Sequence, residues 1–216
     1  ITEQYVSVKG INENRLKNLK IKDIDIEIVG RGREKIRLGD LNGNEFKIRV
    51  KGEKIKEKIN WIVNYYGEQR FGSETYNLGR EVLKGNLPDK ERRLLLLYVN
   101  SVQSYIWNKT VEEYLKERFP KKKPSNIKVP LVGYGTIINN EKLIKIIDKI
   151  MEEEKINFSD FRIKGHPELS LKGNERDLIA EVKEFKSEII ENDSILSFEL
   201  PKGSYATIVV EQLLSQ

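Results

Sequence analysis

The sequence contains no cysteine, which removes disulfides, thiolate nucleophiles and cysteine-held metals together. Its single histidine, His166, leaves no room for a histidine-rich metal centre or for two histidines sharing acid–base work. The setting Gly165-His166-Pro167 reads as a turn, so a structural role is expected there. Long apolar runs are missing too. The longest, Leu94 to Val99, falls far short of the roughly 18–20 residues a membrane span requires, and no signal peptide is visible. A reducing cytoplasm is the expected compartment. Strong charge of one sign is also absent: 39 Lys and Arg against 34 Asp and Glu give +5, with pI near 9.1. That excess permits an anionic partner such as nucleic acid, although surplus lysine on a solvated face explains it as well.

What is present suits a charged globular protein, with 38% hydrophobic and 34% charged residues in 216. That length supports one core, or one core with a smaller domain inserted. The chain opens on Ile1 rather than methionine, and Ile1 to Val8 reads as a strand already under way. The expectation is that residues were removed upstream or that the chain is a fragment.

The first 50 residues read mostly as strands. Ile24, Ile26 and Ile28 alternate with Asp25 and Glu27, and Phe46, Ile48 and Val50 alternate with Lys47 and Arg49. Gly39 to Asn44 is a turn cluster between them. Residues 53 to 63 could form a short helix with Ile55, Ile59 and Ile62 on one side. Glu91 to Arg118 carries Leu94, Leu97, Tyr98, Val102, Tyr105 and Ile106 at helical steps. It stops at Phe119-Pro120, before Lys121-Lys122-Lys123-Pro124. A second helix is predicted over Glu141 to Lys155, and a short third over Glu175 to Ala180. Strands return at Ile195 to Leu200 and Tyr205 to Val210. Strands, helices, then strands fits a helical segment inserted into a mainly β domain.

Three clusters carry unusual chemistry. Asn64-Tyr65-Tyr66-Gly67-Glu68-Gln69-Arg70-Phe71-Gly72 sets three aromatics, a guanidinium, two amides and two glycines in nine residues. Aromatics stack on an unpaired base, amides pair with its edge, and arginine holds phosphate; a tight turn with inward aromatics is the equal alternative. Gln103-Ser104-Tyr105-Ile106-Trp107-Asn108 is an amide–aromatic patch on the long helix, where an amphipathic edge would also place such residues. Leu200-Pro201-Lys202-Gly203-Ser204-Tyr205-Ala206-Thr207 is either a hairpin or a rim that presents Tyr205.

Asn64 to Gly72 is very similar to the signature of TruD pseudouridine synthases, Asn-Tyr-Phe-Gly-(variable)-Gln-Arg-Phe-Gly. Gly39 to Phe46, Gln103 to Asn108 and Leu200 to Thr207 resemble further blocks of that family, in the expected order. The resemblance covers essentially the whole chain. It implies an α+β fold: the pseudouridine synthase core, a mixed, largely antiparallel sheet flanked by helices with a cleft across it. That core would comprise residues 1–88 and 181–216, with 89–180 as the family's insertion domain. The resemblance further implies conversion of uridine to pseudouridine in tRNA, with uridine-13 of the D-arm as target, and neither metal nor organic cofactor. No feature of the sequence sets an oligomeric state.

Pseudouridine formation breaks the N1–C1′ bond, turns the uracil, and joins C5 to C1′. A carboxylate can start it by attacking C1′ or by taking the C2′ proton. By resemblance Asn64 positions that carboxylate or the base, Tyr66 stands where the family usually has phenylalanine, and Tyr205 stacks on the uracil. Gln69, Arg70, Phe71 and Gly72 would brace the pocket and meet RNA, with Gln103, Asn108, Gly203 and Ser204 as further substrate contacts. The family's aspartate belongs to a motif whose tail matches Ile1-Thr2-Glu3-Gln4, so it is expected just before Ile1, and the chain alone is expected to be inactive. Asp23, Asp25, Asp40 and Glu68 are not substitutes by position. Glu211-Gln212 departs from the family's Arg-Glu. A non-catalytic RNA-binding module, or a purely structural domain, is the alternative.

Overall fold

The computed structural model describes residues 2–37, 39–72 and 74–215. The chain falls into two units, residues 1–42 and 43–216. In the first, α1 (Glu13–Lys17) begins at Asn12, whose side chain accepts from the Asn14 N–H at 2.9 Å. The strand expected at Ile24 to Ile28 does not form; Ile21 and Ile24 make only an isolated bridge. Ile24 and Ile26 stay exposed. Alternation suits a half-buried strand only where a neighbouring edge completes the ladder, and the described residues of this unit supply none. Thr2 to Val8 likewise form no strand, and Ile1 lies outside the described residues.

The second unit is an α+β assembly in which every paired strand runs antiparallel. β1 (Gly43–Val50) pairs with β7 (Asp193–Pro201), which also pairs with β6 (Lys183–Ile190). Ser194, Leu196, Phe198 and Leu200 alternate into the core from β7. Opposite them Phe46 faces Phe198, ring centroids 5.7 Å apart. The expected Gly39 to Asn44 turn ends early, because Gly43 and Asn44 already belong to β1. A Cβ at Gly43 would sit 2.3 Å from the Leu200 carbonyl oxygen, so only glycine lets the strands approach there.

The long helix is α3 (Arg92–Leu115), and it sits at the middle of the unit, against α2 (Thr75–Leu83), α4 (Glu141–Glu154) and β3 (Lys128–Leu131). Val99, Val102, Ile106, Trp107 and Val111 are fully enclosed. Helices α2 and α3 touch backbone to backbone at Gly79, where a Cβ would lie 2.2 Å from the Tyr98 carbonyl oxygen. Ser104 and Thr110, buried on α3, spend their hydroxyls on the carbonyls of Asn100 and Ile106 four residues back.

Three expectations are corrected here. Residues 53 to 60 are not helical; Ile55 and Ile59 are buried on an irregular segment, which ends in β2 (Trp61–Val63). Ser194 fixes that segment by accepting from the Ile55 N–H and donating to the Glu53 carbonyl, each at 2.8 Å. Residues 175 to 180 form β4 (Asn174–Asp177) and β5 (Ile179–Glu181), which pair with β3 and β2. Leu178 between them is wholly buried and bonded through its backbone to Ile127 and Asn64. Tyr205 to Val210 is not a strand, because it leads into α5 (Ala206–Leu214). Its buried residues Ile208, Val209, Gln212 and Leu213 recur at the four-residue step of a helix face. Segment 89–180 contributes α3, α4, β3 and β4 to the same unit as its flanks, and residue 180 falls inside β5. No helix among the described residues is long and apolar enough to cross a membrane.

Candidate active site

The site grows from the end of β2. Asn64 follows Val63 and is 7% exposed. Its N–H donates to the Leu178 carbonyl at 2.9 Å, and its side-chain Nδ2 donates to the Asp177 carbonyl at 3.1 Å. These bonds carry β2 onward alongside the β4–β5 junction. The Asn64 Oδ1 accepts from Arg176 Nη2 at 2.6 Å and from the Ser204 hydroxyl at 2.9 Å. Both acceptor positions of the amide oxygen are therefore spent within the protein. Asn64 orients its neighbours.

Arg176, on β4, is the residue sequence reasoning missed. Its Nε donates to the Asn64 carbonyl and its Nη2 to the Gly203 carbonyl, each at 2.9 Å, beside the bond to Asn64 Oδ1. Its Cζ stands 4.2 Å from the Tyr66 ring centroid and 5.4 Å from that of Trp107. Burial pushes its guanidinium below the ordinary value, and the nearby phenols of Tyr66 and Tyr205 oppose that shift. A signal existed: Asn-Glu-Arg-Asp runs directly into the apolar Leu178-Ile179-Ala180, but a helical reading of 175 to 180 hid the direction of Arg176.

Tyr66 is pinned by its backbone. Asn108 accepts from the Tyr66 N–H and donates to the Tyr66 carbonyl, both at 2.9 Å. The Tyr66 ring meets Trp107 edge-on at 5.8 Å and Tyr205 at 5.9 Å. Tyr205 caps the start of α5 with an extended backbone and leans on the signature loop. A Cβ at Gly67 would meet the Tyr205 ring and the Thr207 hydroxyl at 2.9 Å. The glycine is thus required by a close approach rather than by a turn. Burial raises the Tyr205 phenol, which stays protonated.

Residues 68–70 make a short 3-10 turn. Arg70 leaves it toward α3, with its Nε 3.3 Å from the Ser104 hydroxyl and its Cζ 5.8 Å from the Tyr66 ring centroid. Gln69 is exposed beside it, and Phe71 packs edge-on against Tyr105 at 6.4 Å. Gly72 turns the chain with φ +47, where a Cβ would press on Thr75 Oγ1 at 2.5 Å. The sequence-predicted residues Asn64, Tyr66, Asn108, Gly203, Ser204 and Tyr205 therefore come together, with Arg70 at their edge. Gln103 does not join them: it is buried on another side of α3 and donates to the Val132 carbonyl at 2.7 Å.

Charge at this centre is one-sided. Among the described residues, no carboxylate lies within ion-pair distance of Arg70 or Arg176. Asp177, one of the two carboxylates flanking Arg176 in sequence, pairs with Lys128 at 2.9 Å. The Glu211-Gln212 departure now has an explanation. Glu211 pairs with Arg118 at 3.0 Å. Gln212, 1% exposed, accepts from the Val63 N–H at 3.0 Å and donates to the Trp61 carbonyl at 3.2 Å. It completes the edge of β2 that β5 leaves open. His166 stands away from this site, in a turn beside Glu168 at 3.1 Å.

Residues 1–90 and 117–213 match the family model for tRNA pseudouridine synthase D (TruD). Among curated relatives, "Probable tRNA pseudouridine synthase D" of Methanopyrus kandleri is 27% identical over 300 residues, covering 99% of this chain and 75% of that protein. The protein of that name from Methanococcus maripaludis is 26% identical over 291 residues, covering 98% and 74%. A bacterial tRNA pseudouridine synthase D from Mannheimia succiniciproducens is 25% identical over 252 residues, covering 100% and 75%. The solved structure titled as TruD from Methanosarcina mazei superposes with TM-score 0.66 at 21% identity, over 95% of this chain and 76% of that one. The fold is shared with that structure, and the chain belongs to the tRNA pseudouridine synthase D (TruD) family.

Proposed function

We propose that this chain carries the uracil-handling site of an enzyme that isomerises uridine to pseudouridine in tRNA, with uridine-13 of the D-arm as its target. One observation carries the reading beyond family membership. Two half-buried tyrosine rings, Tyr66 and Tyr205, meet edge-on beside a guanidinium and an asparagine whose geometry is fixed by contacts among three separate parts of the chain.

Each part has a task in the isomerisation. Tyr205 offers a face on which the detached uracil stacks while it turns. Tyr66, held by Asn108, walls the other side, and its phenol adds a hydrogen-bonding group where the family usually has phenylalanine. Asn64 sets the guanidinium of Arg176 and the Ser204 hydroxyl rather than touching the base. Arg70 and the exposed Gln69 stand at the rim, where a phosphate or ribose of the extruded nucleotide passes. Segment 89–180 corresponds to the family's insertion, and it supplies Asn108 and Trp107 to the site. The chemistry needs an ionised carboxylate at C1′, which the family provides from its aspartate motif.

The one-sided charge of the site also supports a second reading, an RNA-binding module that holds uridine without turning it over. Tritium release from tRNA labelled at uracil C5 separates the two. We expect release from a protein that carries this chain together with the family's aspartate motif. Tight tRNA binding with no release from such a protein would establish the binding module instead.

A further inference from the structure

Arg176 raises a question of cost. A cation taken out of water is expensive unless paired, and its retention at a site points to a role there. Three hydrogen bonds and two ring faces hold it in place. All three bonds use Nε and Nη2 and go to neutral oxygens. Nη1 lies on the side of Gly203, 3.5 Å from where a Cβ of that residue would be. It donates to no carbonyl or carboxylate among the described residues, and the Tyr66 phenol lies within hydrogen-bonding reach of the same guanidinium, so a base oxygen entering here would share the cation with that hydroxyl. The fixed positive charge of Arg176 stands against the Tyr66 ring, whereas Arg70 turns toward Ser104 of α3, a position that suits a phosphate.

Resting on the isomerase reading above, we propose that Arg176 is the residue that holds the negative charge of uracil while the base is detached from its sugar. When the N1–C1′ bond breaks, its electron pair leaves with the base. Either a carboxylate oxygen forms the new bond to C1′, or the carboxylate takes the C2′ proton and a C1′–C2′ double bond forms. On both routes the base becomes the uracilate anion, with charge spread over N1, O2 and O4. Nη1 of Arg176 donates a hydrogen bond to one of those oxygens, and no proton is transferred. The charge is discharged when C5 gives its electron pair to C1′, which releases the carboxylate oxygen on the first route or returns the proton to C2′ on the second; C5 then loses its proton as N1 takes one up. A preset cation in a dry site stabilises such a charge far more than water does. Asn64 and Gly203 act through Arg176, as positioning residues.

The test requires no turnover. A tRNA transcript with 5-fluorouridine in place of every uridine is bound to the chain, and each fluorine resonance is titrated by NMR. The N3 of this base ionises close enough to neutrality to follow, so an anionic uracil can be made at equilibrium. In the wild-type complex we expect one resonance to titrate about one unit below the rest, a preference for the anion of about tenfold. In Arg176→Gln that resonance should titrate with or above the others, because burial alone disfavours the anion. Arg176→Lys should keep part of the depression. Asn64→Asp places a carboxylate against the guanidinium and should abolish it, which serves should the glutamine variant fail to fold. A midpoint equal in wild type, Arg176→Gln and Asn64→Asp overturns the proposal while leaving tRNA recognition intact. No depressed resonance in the wild-type complex also overturns it. Absence of any tRNA complex would sink the isomerase reading itself.

Discussion

Replacing Gln212 by glutamate should make the stability of this chain depend on pH. Gln212 is 1% exposed and uses both ends of its amide on the edge of β2, accepting from Val63 and donating to Trp61. A glutamic acid can copy both bonds only while protonated, its hydroxyl replacing the amide donor. Once ionised, it turns a second acceptor on the Trp61 carbonyl and buries a charge. An unsatisfied buried pair of this kind costs about 3 kcal/mol, which corresponds to a carboxyl raised by about two units from its usual value near 4.3. The sign follows from proton uptake. Between the unfolded and folded pKa values the native state binds a proton that the unfolded state does not, so stability falls as pH rises. Urea unfolding of wild type and Gln212→Glu should therefore differ little at pH 4. The difference should reach about 3 kcal/mol at pH 8, or roughly 6–12 °C in Tm for a chain of this size. An equal difference at both pH values would refute the reasoning.

Other perturbations have similarly definite outcomes. Asn108→Ala removes both partners of the Tyr66 backbone and should cost about 2 kcal/mol in urea unfolding, with loss of tRNA affinity. Gly79→Ala drives a methyl into the Tyr98 carbonyl; despite a better helix former in α2, we expect a net loss of about 2 kcal/mol, seen as a lower urea midpoint at unchanged slope. Lys121, Lys122 and Lys123 are exposed, and reversing all three to glutamate should weaken tRNA binding. The log–log salt slope should fall by about one for each phosphate that the loop no longer neutralises. An unchanged slope would mark that loop as merely solvated.

Helices α3 and α4 and strands β1 and β7 are legible in the sequence because each is long enough to repeat its period several times. The signature loop is legible as chemistry. What fails is short or depends on partners. Ile24 to Ile28 alternates well and still makes no strand, since a strand needs an edge to join. The β-branched stretch Thr207 to Val210 looks extended, but burial on several sides and the spacing of Gln212 and Leu213 make it helix. At the site, Asn64, Tyr66, Asn108, Ser204 and Tyr205 are expected from the sequence and do converge. Gln103 is expected there for the same amide chemistry and faces Val132 instead, because one helical step decides which side of α3 an amide serves. Arg176 escapes a sequence reading because taking 175 to 180 as helix hides its direction, and Asn-Glu-Arg-Asp by itself reads the same for a half-buried arginine as for a solvated one.

The convergence of residues 64, 108, 176 and 205 has a consequence for how the protein comes into being. No stretch of the chain can hold the site by itself: the guanidinium waits for the Gly203 carbonyl, and the Tyr66 wall waits for a ring at the start of α5. During synthesis, α3 and its neighbours can condense early, but the pocket closes only after residues 203 to 205 have left the ribosome. A nascent chain that still holds those residues in the ribosome is therefore unable to grip a tRNA with this site, however complete its core has become.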